Sequence, residues 1–283
     1  MNALKTAVLL GVLSAIMMLA SQAIFGGRGG LGIGLLIAIG MNFFAYFFSE
    51  KLALSSSGAI LVNETQNSEI FYRIAPMTRR LTEKMGLPMP RLWVIPEDAP
   101  NAFATGRNPA HSSVAVTVGL LRLMNDTELE AVIGHELGHV KNRDILISSI
   151  AATVAAAITY MAHIAMFFGG GRRDDDDAPN PIVMILTMIL APIAAGMVQM
   201  AISRTREFGA DAASAKYTGS PSNMIAALRK LEMGAQQIPM DASPAMSHMY
   251  IIKPFSGAQL SRLFSTHPPT AERIAHLERL STT

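Results

Sequence analysis

The chain contains no cysteine. That absence excludes a disulfide framework and any metal site built on thiolates, so a metal here must be held by histidine and carboxylate groups. Charge is also scarce: 16% of the 283 residues are charged, and the formal net charge is +2. So small a balance, with no basic face evident, argues against a nucleic-acid partner. The scarcity is local. Four stretches, at about 6–25, 31–48, 145–168 and 182–201, carry no Asp, Glu, Lys or Arg in their interiors. Each is long enough to cross a bilayer. Half of the residues are hydrophobic, and the mean hydropathy of +0.32 is high for a soluble enzyme.

Two other readings of the apolar runs compete. An unusually apolar soluble core is one, but core helices seldom run so long without a charge. For the first run, Lys5 and Ser21-Gln22-Ala23 resemble the flanks of a cleavable signal peptide. The second run begins only a few residues later, which suits a tight membrane hairpin better. Most Lys and Arg residues fall in 51–143 and 204–279. These two segments are therefore expected on the cytoplasmic side, with both termini. The run Asp174-Asp175-Asp176-Asp177 reads as a solvated turn on the other side rather than a calcium site.

What is present is a short motif, His135-Glu136-Leu137-Gly138-His139, read H-E-x-x-H. Histidines four apart lie on one face of a helix, so both imidazoles reach one metal ion at roughly 2.0–2.1 Å. Glu136 lies roughly 100° around the helix, placed for a water beside the metal and not for the metal itself. Short motifs recur by accident; the surroundings carry this one. Asn125-Asp126-Thr127 supplies N-cap residues, Thr127 with Glu130 fits a capping box, and Val132, Ile133, Leu137 and Val140 are apolar.

Before this helix, Ile70, Ile74, Met77, Leu81 and Met85 recur at helical spacing up to Gly86. Arg91 to Ile95 and Ser113 to Val118 read as strands, with Asn101-Ala102-Phe103-Ala104-Thr105-Gly106 between them. Trp93 reads as core. Beyond the fourth apolar run, 203–215 forms a helix with Glu207 and Asp211 one turn apart. A further helix is expected near 221–231, then a flexible stretch at about 234–259, then a short terminal helix. The fold expected is a mainly α membrane protein: about four transmembrane helices in two hairpins, plus a cytoplasmic gluzincin-like α+β zinc peptidase domain. Its parts are a first hairpin at 1–49, a protease part at 50–144, a second hairpin at 145–201 and a second protease part at 202–283.

A catalytic zinc takes three protein ligands and keeps one position open. With no cysteine, the third ligand is a histidine or an acid. His163, His111 and His248 are weaker candidates, His267 is a stronger rival, and Glu207 is best placed by pattern. Asp211 would then accept a ring N–H of a ligand histidine. Salt bridges to Arg204 or Arg206 are the competing role for both acids.

The pair H-E-L-G-H (135–139) and S-R-T-R-E-F-G-A-D (203–211) resembles the integral-membrane zinc peptidases of the HtpX heat-shock protease type. These are relatives of the eukaryotic CAAX prenyl proteases and the mitochondrial Oma peptidases. Residues Asn101 to Gly106, Thr266-His267-Pro268-Pro269, Arg273 and the two hairpins extend the likeness over nearly the whole chain. The resemblance implies one zinc ion per chain on His135, His139 and Glu207, with Asp211 behind them. It implies a multi-pass protein of the bacterial inner membrane that degrades misfolded or damaged membrane proteins. Its partners are then those substrates, the lipid bilayer and other membrane proteases, and no nucleic acid.

In the mechanism expected, Glu136 is the general base and then the proton donor to the leaving amine. His267 and Arg273 are candidates for the developing oxyanion. Asn101 to Gly106 are candidates for pairing with extended substrate by backbone hydrogen bonds. The alternatives are a CAAX-type processing peptidase and a non-catalytic membrane zinc-binding protein. Transport sites place ionisable residues within the spans, where only His163 is found here.

Overall fold

A computed structural model describes residues 2–25, 27–151, 153, 204–237, 251 and 268–280. Most of the third apolar run, all of the fourth, Asp174–Asp177, His163, His248 and His267 lie outside the described residues.

Helices α1 (Asn2–Phe25) and α2 (Gly27–Ser56) form an antiparallel hairpin. The two backbones approach closely at Gly34, where a Cβ would lie 2.6 Å from Met18 Cα. Asn42 Nδ2 donates to Ser14 Oγ across the pair at 2.9 Å. Among the described residues one helix is long and apolar enough to cross a membrane, over Gly29–Ser56 with mean hydropathy 2.0. Its outer face carries exposed Leu36, Ile39 and Phe43. In α1 the apolar helical stretch is shorter, Thr6–Ala15. The expectation of about four spans is thus met by one among the described residues. The hairpin boundary expected at 49 falls inside α2, which runs on into the protease part.

The sheet has four strands in the order β1-β2-β4-β3. These are β1 (Ile60–Val62), β2 (Arg91–Ile95), β3 (Ala102–Asn108) and β4 (His111–Thr117). Strands β2 and β4 are parallel; β1 and β3 are antiparallel edge strands. Side chains alternate between faces with period two. Leu92, Val94, Ala102, Ala104, Val114 and Val116 face one core. That core is closed by α3 (Ser68–Met85), α5 (Asp126–Lys141) and α7 (Pro221–Gln237), with α4 (Val118–Leu123) at its margin. Trp93, Ile95, Phe103 and Ala115 face the other way, onto Ala53 and Leu54 of α2. On that side Glu50 of α2 accepts from Arg91 Nη2 and Ser113 Oγ, each at 2.6 Å. Trp93 Nε1 donates to Ser113 Oγ at 3.0 Å. The end of the membrane helix is therefore the second wall of the sheet.

Helix α3 ends as its sequence predicts: Gly86 takes the left-handed conformation at φ 67, and Leu87 N–H returns to Thr82 O. The cap of α5 differs from expectation. Asn125 is the N-cap, its Oδ1 accepting from Glu128 N–H while Glu128 Oε2 accepts from Asn125 N–H. Thr127 cannot cap because it is already one residue into the helix; its hydroxyl donates to Asn125 Oδ1. Glu130 points outward to Arg80 at 3.2 Å. Helix α7 runs to Gln237, so 234–237 are helical rather than a flexible stretch, and Ile251 is buried in the main core.

Candidate metal centre

Helix α5 crosses α6 (Arg204–Thr218), and small residues permit the approach. A Cβ on Gly138 would lie 3.0 Å from Ala210 Cα, so a larger residue there would push the helices apart. Ser214 Oγ donates to Ala131 O at 2.6 Å and locks the crossing. The glycine inside H-E-L-G-H thus brings Glu207 against the two histidines across a gap of about 70 residues in the chain (139 to 207).

Three donor atoms converge. His135 Nε2 and His139 Nε2 are 3.2 Å apart. Glu207 Oε2 is 3.7 Å from His135 Nε2, and Glu207 Oε1 is 3.5 Å from His139 Nε2. A tetrahedral ion with bonds of roughly 2.0–2.2 Å needs donor–donor edges of roughly 3.3–3.6 Å. The donor set therefore fits one metal ion, and its chemistry, two imidazoles and a carboxylate, is that of a site with a fourth position left for water.

Each histidine is held from behind by an acid. His135 Nδ1 donates to Asp211 Oδ1 at 2.9 Å, and His139 Nδ1 to Asp144 Oδ2 at 3.2 Å. These bonds set the tautomer that leaves each Nε2 lone pair facing the metal. Asp144 is a site residue that sequence reasoning missed, although an acid five residues past the second histidine, at the mouth of an apolar run, is a readable signal. Asp144 O also accepts from Ser148 N–H, opening the helix over 145–151.

The environments differ. Burial lowers His135 to about 4, against the pull of Asp211. Burial also works against protonation of His139, but Asp144, Glu207 and Glu136 override it and raise that ring to about 9. Burial raises Glu136 to about 7. Burial would raise Asp211 as well, but the Arg273 guanidinium holds it down at about 2. A bound dication would favour neutral His139 and ionised Glu136.

Arg273, on α8 (Thr270–Leu280), is fully enclosed and pairs with Asp211 through two nitrogens, at 2.6 and 2.9 Å. Of the two alternative partners weighed for the acids, Arg204 pairs with Glu272 at the surface, and Arg206 is half-buried within the influence of Asp144 and Glu207. Asn101 stands just before edge strand β3, and its Oδ1 accepts from Ala102 N–H and Ile251 N–H, each at 3.0 Å. On the side of β3 away from β4, Ala104 N–H bonds to Glu136 and Gly106 N–H to Ser149 Oγ at 3.4 Å, and Ala102 to Thr105 are buried. His267 lies outside the described residues.

Two histidines on one helix, a glutamate from a second helix that could hold the same ion, and a buried acid beside an edge strand are the groups a metallopeptidase requires. The family model described as Peptidase family M48 matches residues 70–281, and the chain belongs to that family. A protein of Thermodesulfovibrio yellowstonii described as a protease HtpX homolog is 50% identical, covering 99% of each chain. Another so described, from Pelotomaculum thermopropionicum, is 47% identical over 99% of this chain and 100% of its own. One from Paraburkholderia phytofirmans is 48% identical over 100% of this chain and 98% of its own. The chain is thus a membrane-bound metalloprotease. Among solved structures, S. mikatae Ste24p aligns with a TM-score of 0.51 at 19% identity. The alignment covers 98% of this chain and spans 64% of that one, a likeness of fold.

Proposed function

We propose that the chain is a zinc-dependent endopeptidase of the bacterial inner membrane that cuts misfolded or damaged membrane proteins at the cytoplasmic face. The observation that carries the reading is the donor triangle of His135, His139 and Glu207 with Glu136 buried beside it. An all-N/O set of two imidazoles and one carboxylate suits zinc. Bound there, zinc supplies Lewis acidity and lowers the pKa of water to roughly 7. Glu136 accepts the proton as water attacks the scissile carbonyl, then delivers it to the departing amine. Asp211 and Asp144 accept the Nδ1–H of the two rings and so turn each Nε2 toward the ion. Substrate laid along β3 would compete with Glu136 for Ala104 N–H, so docking would release the base as it positions the peptide.

The membrane reading is supported by how the chain packs. Helices α5 and α6 lie against each other, so the metal residues that both carry belong to one packed unit. Helix α2 ends against the sheet, which keeps the metal residues close to the membrane surface. Substrates on this reading are membrane proteins within or emerging from the bilayer, with other membrane proteases as candidate associates.

The test is Glu136→Gln in the detergent-solubilised full chain. Cleavage of unfolded casein should fall by at least about 10²–10⁴-fold while metal analysis still finds one zinc per chain. Cleavage retained at the parent rate would sink the mechanism. The same variant, recovered from membranes, should hold uncut membrane proteins.

A further inference from the structure

Arg273 is only 1% exposed, and a buried arginine must be accounted for bond by bond. Its Nη2 donates to Asp211 Oδ1 at 2.6 Å and its Nε to Asp211 Oδ2 at 2.9 Å, a two-point grip on one carboxylate. Its Nη1 donates to Ile251 O at 3.1 Å and lies 3.8 Å from Glu207 Oε2, a longer contact than either bond to Asp211. Nη2 also lies 3.3 Å from His135 Nδ1. That nitrogen donates to Asp211, so the two are neighbouring donors sharing Asp211 Oδ1. The guanidinium thus meets His135 from its Nδ1 side, whereas the metal is met by Nε2. An oxyanion donor needs to lie roughly 2.7–3.1 Å from the developing charge. The strongest donors of Arg273 are spent on Asp211.

We propose that Arg273 is a positioning residue: it holds Asp211 in the one orientation that presents Oδ1 to His135 Nδ1–H, and so aims His135 Nε2 at the metal. Ile251 extends the arrangement. Its carbonyl accepts from Arg273 and its N–H donates to Asn101 Oδ1, which also accepts from the first residue of β3. One buried residue thereby registers the edge strand against the metal helix. The terminal helix α8, remote in sequence from H-E-x-x-H, is on this account part of the metal site. Without the guanidinium, Asp211 would be a buried carboxylate with His135 as its remaining partner, free to turn or to take up a proton.

This rests on His135, His139 and Glu207 holding the metal, and the experiment separates the two. Zinc is titrated into the metal-stripped full chain in detergent, against a chromophoric chelator, for the parent, Glu207→Ala, Arg273→Lys, Asp211→Asn and the Arg273→Lys/Asp211→Asn pair. Lysine keeps the charge and loses the two-point grip. Arg273→Lys and Asp211→Asn should each weaken zinc binding roughly 10–100-fold, and the double variant should be no weaker than its weaker parent. Turnover of Arg273→Lys at saturating zinc should recover most of its loss. Unchanged zinc affinity with reduced turnover would assign Arg273 to the transition state and overturn the proposal. Multiplying effects in the double variant would overturn it too. Unchanged zinc affinity in Glu207→Ala would instead overturn the metal site itself.

A measurement that needs no variant uses the parent protein with 15N-labelled arginine. The Arg273 side-chain resonance should shift on adding zinc and stay put on adding a phosphinic peptide. A shift caused by the peptide alone overturns the proposal.

Discussion

The two histidines of H-E-x-x-H sit one turn apart on the same helix, yet their surroundings are built on opposite plans. His135 is 1% exposed, and its acid comes from a second helix and is gripped by an arginine from a third. His139 is 17% exposed, and its acid, Asp144, is five residues along the same chain. The first ring is pushed down to about 4 and the second up to about 9. A motif therefore defines which atoms meet a metal without defining how each is held. The remote arm is buried and disfavours a proton on its ring, whereas the local arm is partly open and favours one, against which a bound ion would work.

The comparison breaks most completely where the arms meet. Glu207→Ala leaves two imidazoles and no anionic ligand, so zinc binding should fall by more than the roughly 100-fold upper range for residues behind the ligands. Chelator competition and residual proteolysis would show it. Next comes the contrast itself. Asp211→Asn strands a buried Arg273 and should cost about 3–5 kcal/mol of stability, with zinc affinity falling toward roughly 100-fold. Asp144→Asn, on the more open arm, should stay nearer roughly 10-fold and lower the melting temperature less than Asp211→Asn, since it strands no fully buried guanidinium. Equal losses from the two would erase the distinction.

A smaller effect is carried by protons. Zinc binding near pH 7.5 should release at least about one proton, mainly from His139. Calorimetry in buffers of different ionisation enthalpy would count it, and His139→Ala should remove it. Smaller still is the pH dependence of the metal-stripped protein. His139, raised from 6.5 to about 9, adds stability that is fully present below 6.5 and lost as pH climbs through 9. His135, lowered from 6.5 to about 4, takes stability away as pH falls from 6.5 through 4. From these two groups the stability should peak near pH 6.5. His139→Ala should flatten the alkaline side alone, and His135→Ala the acid side alone.

Much of the site is legible in the residues themselves. H-E-x-x-H needs only helical periodicity, and the strands read over 91–95 and 113–118 follow from β-branched and aromatic residues, although the second runs 111–117 and Val118 opens a helix. The capping box lies two residues earlier than its pattern suggests, because Asn125, Thr127 and Glu130 all offer plausible side chains. Only the backbone path decides which stands outside the helix. The role of Asp144 is hidden because it depends on the chain turning sharply after Lys141, where Arg143 takes a left-handed φ of 57. Arg273 is recognisable as interesting but not as a partner of Asp211, since nothing along the chain tells which buried acid a distant arginine will meet.

What the residues determine alone is what short range can encode: the helix with its two imidazoles and acid, the strands, the glycine stop of α3 and apolar runs long enough to cross a bilayer. These follow from periodicity, backbone freedom and hydrophobicity within a few turns. Tertiary packing decided the rest. The Gly138–Ala210 crossing delivers Glu207, the terminal helix delivers Arg273, and the end of a membrane helix walls the sheet. Each is a meeting of groups far apart in the chain, selected because buried charges need partners and apolar faces need cover.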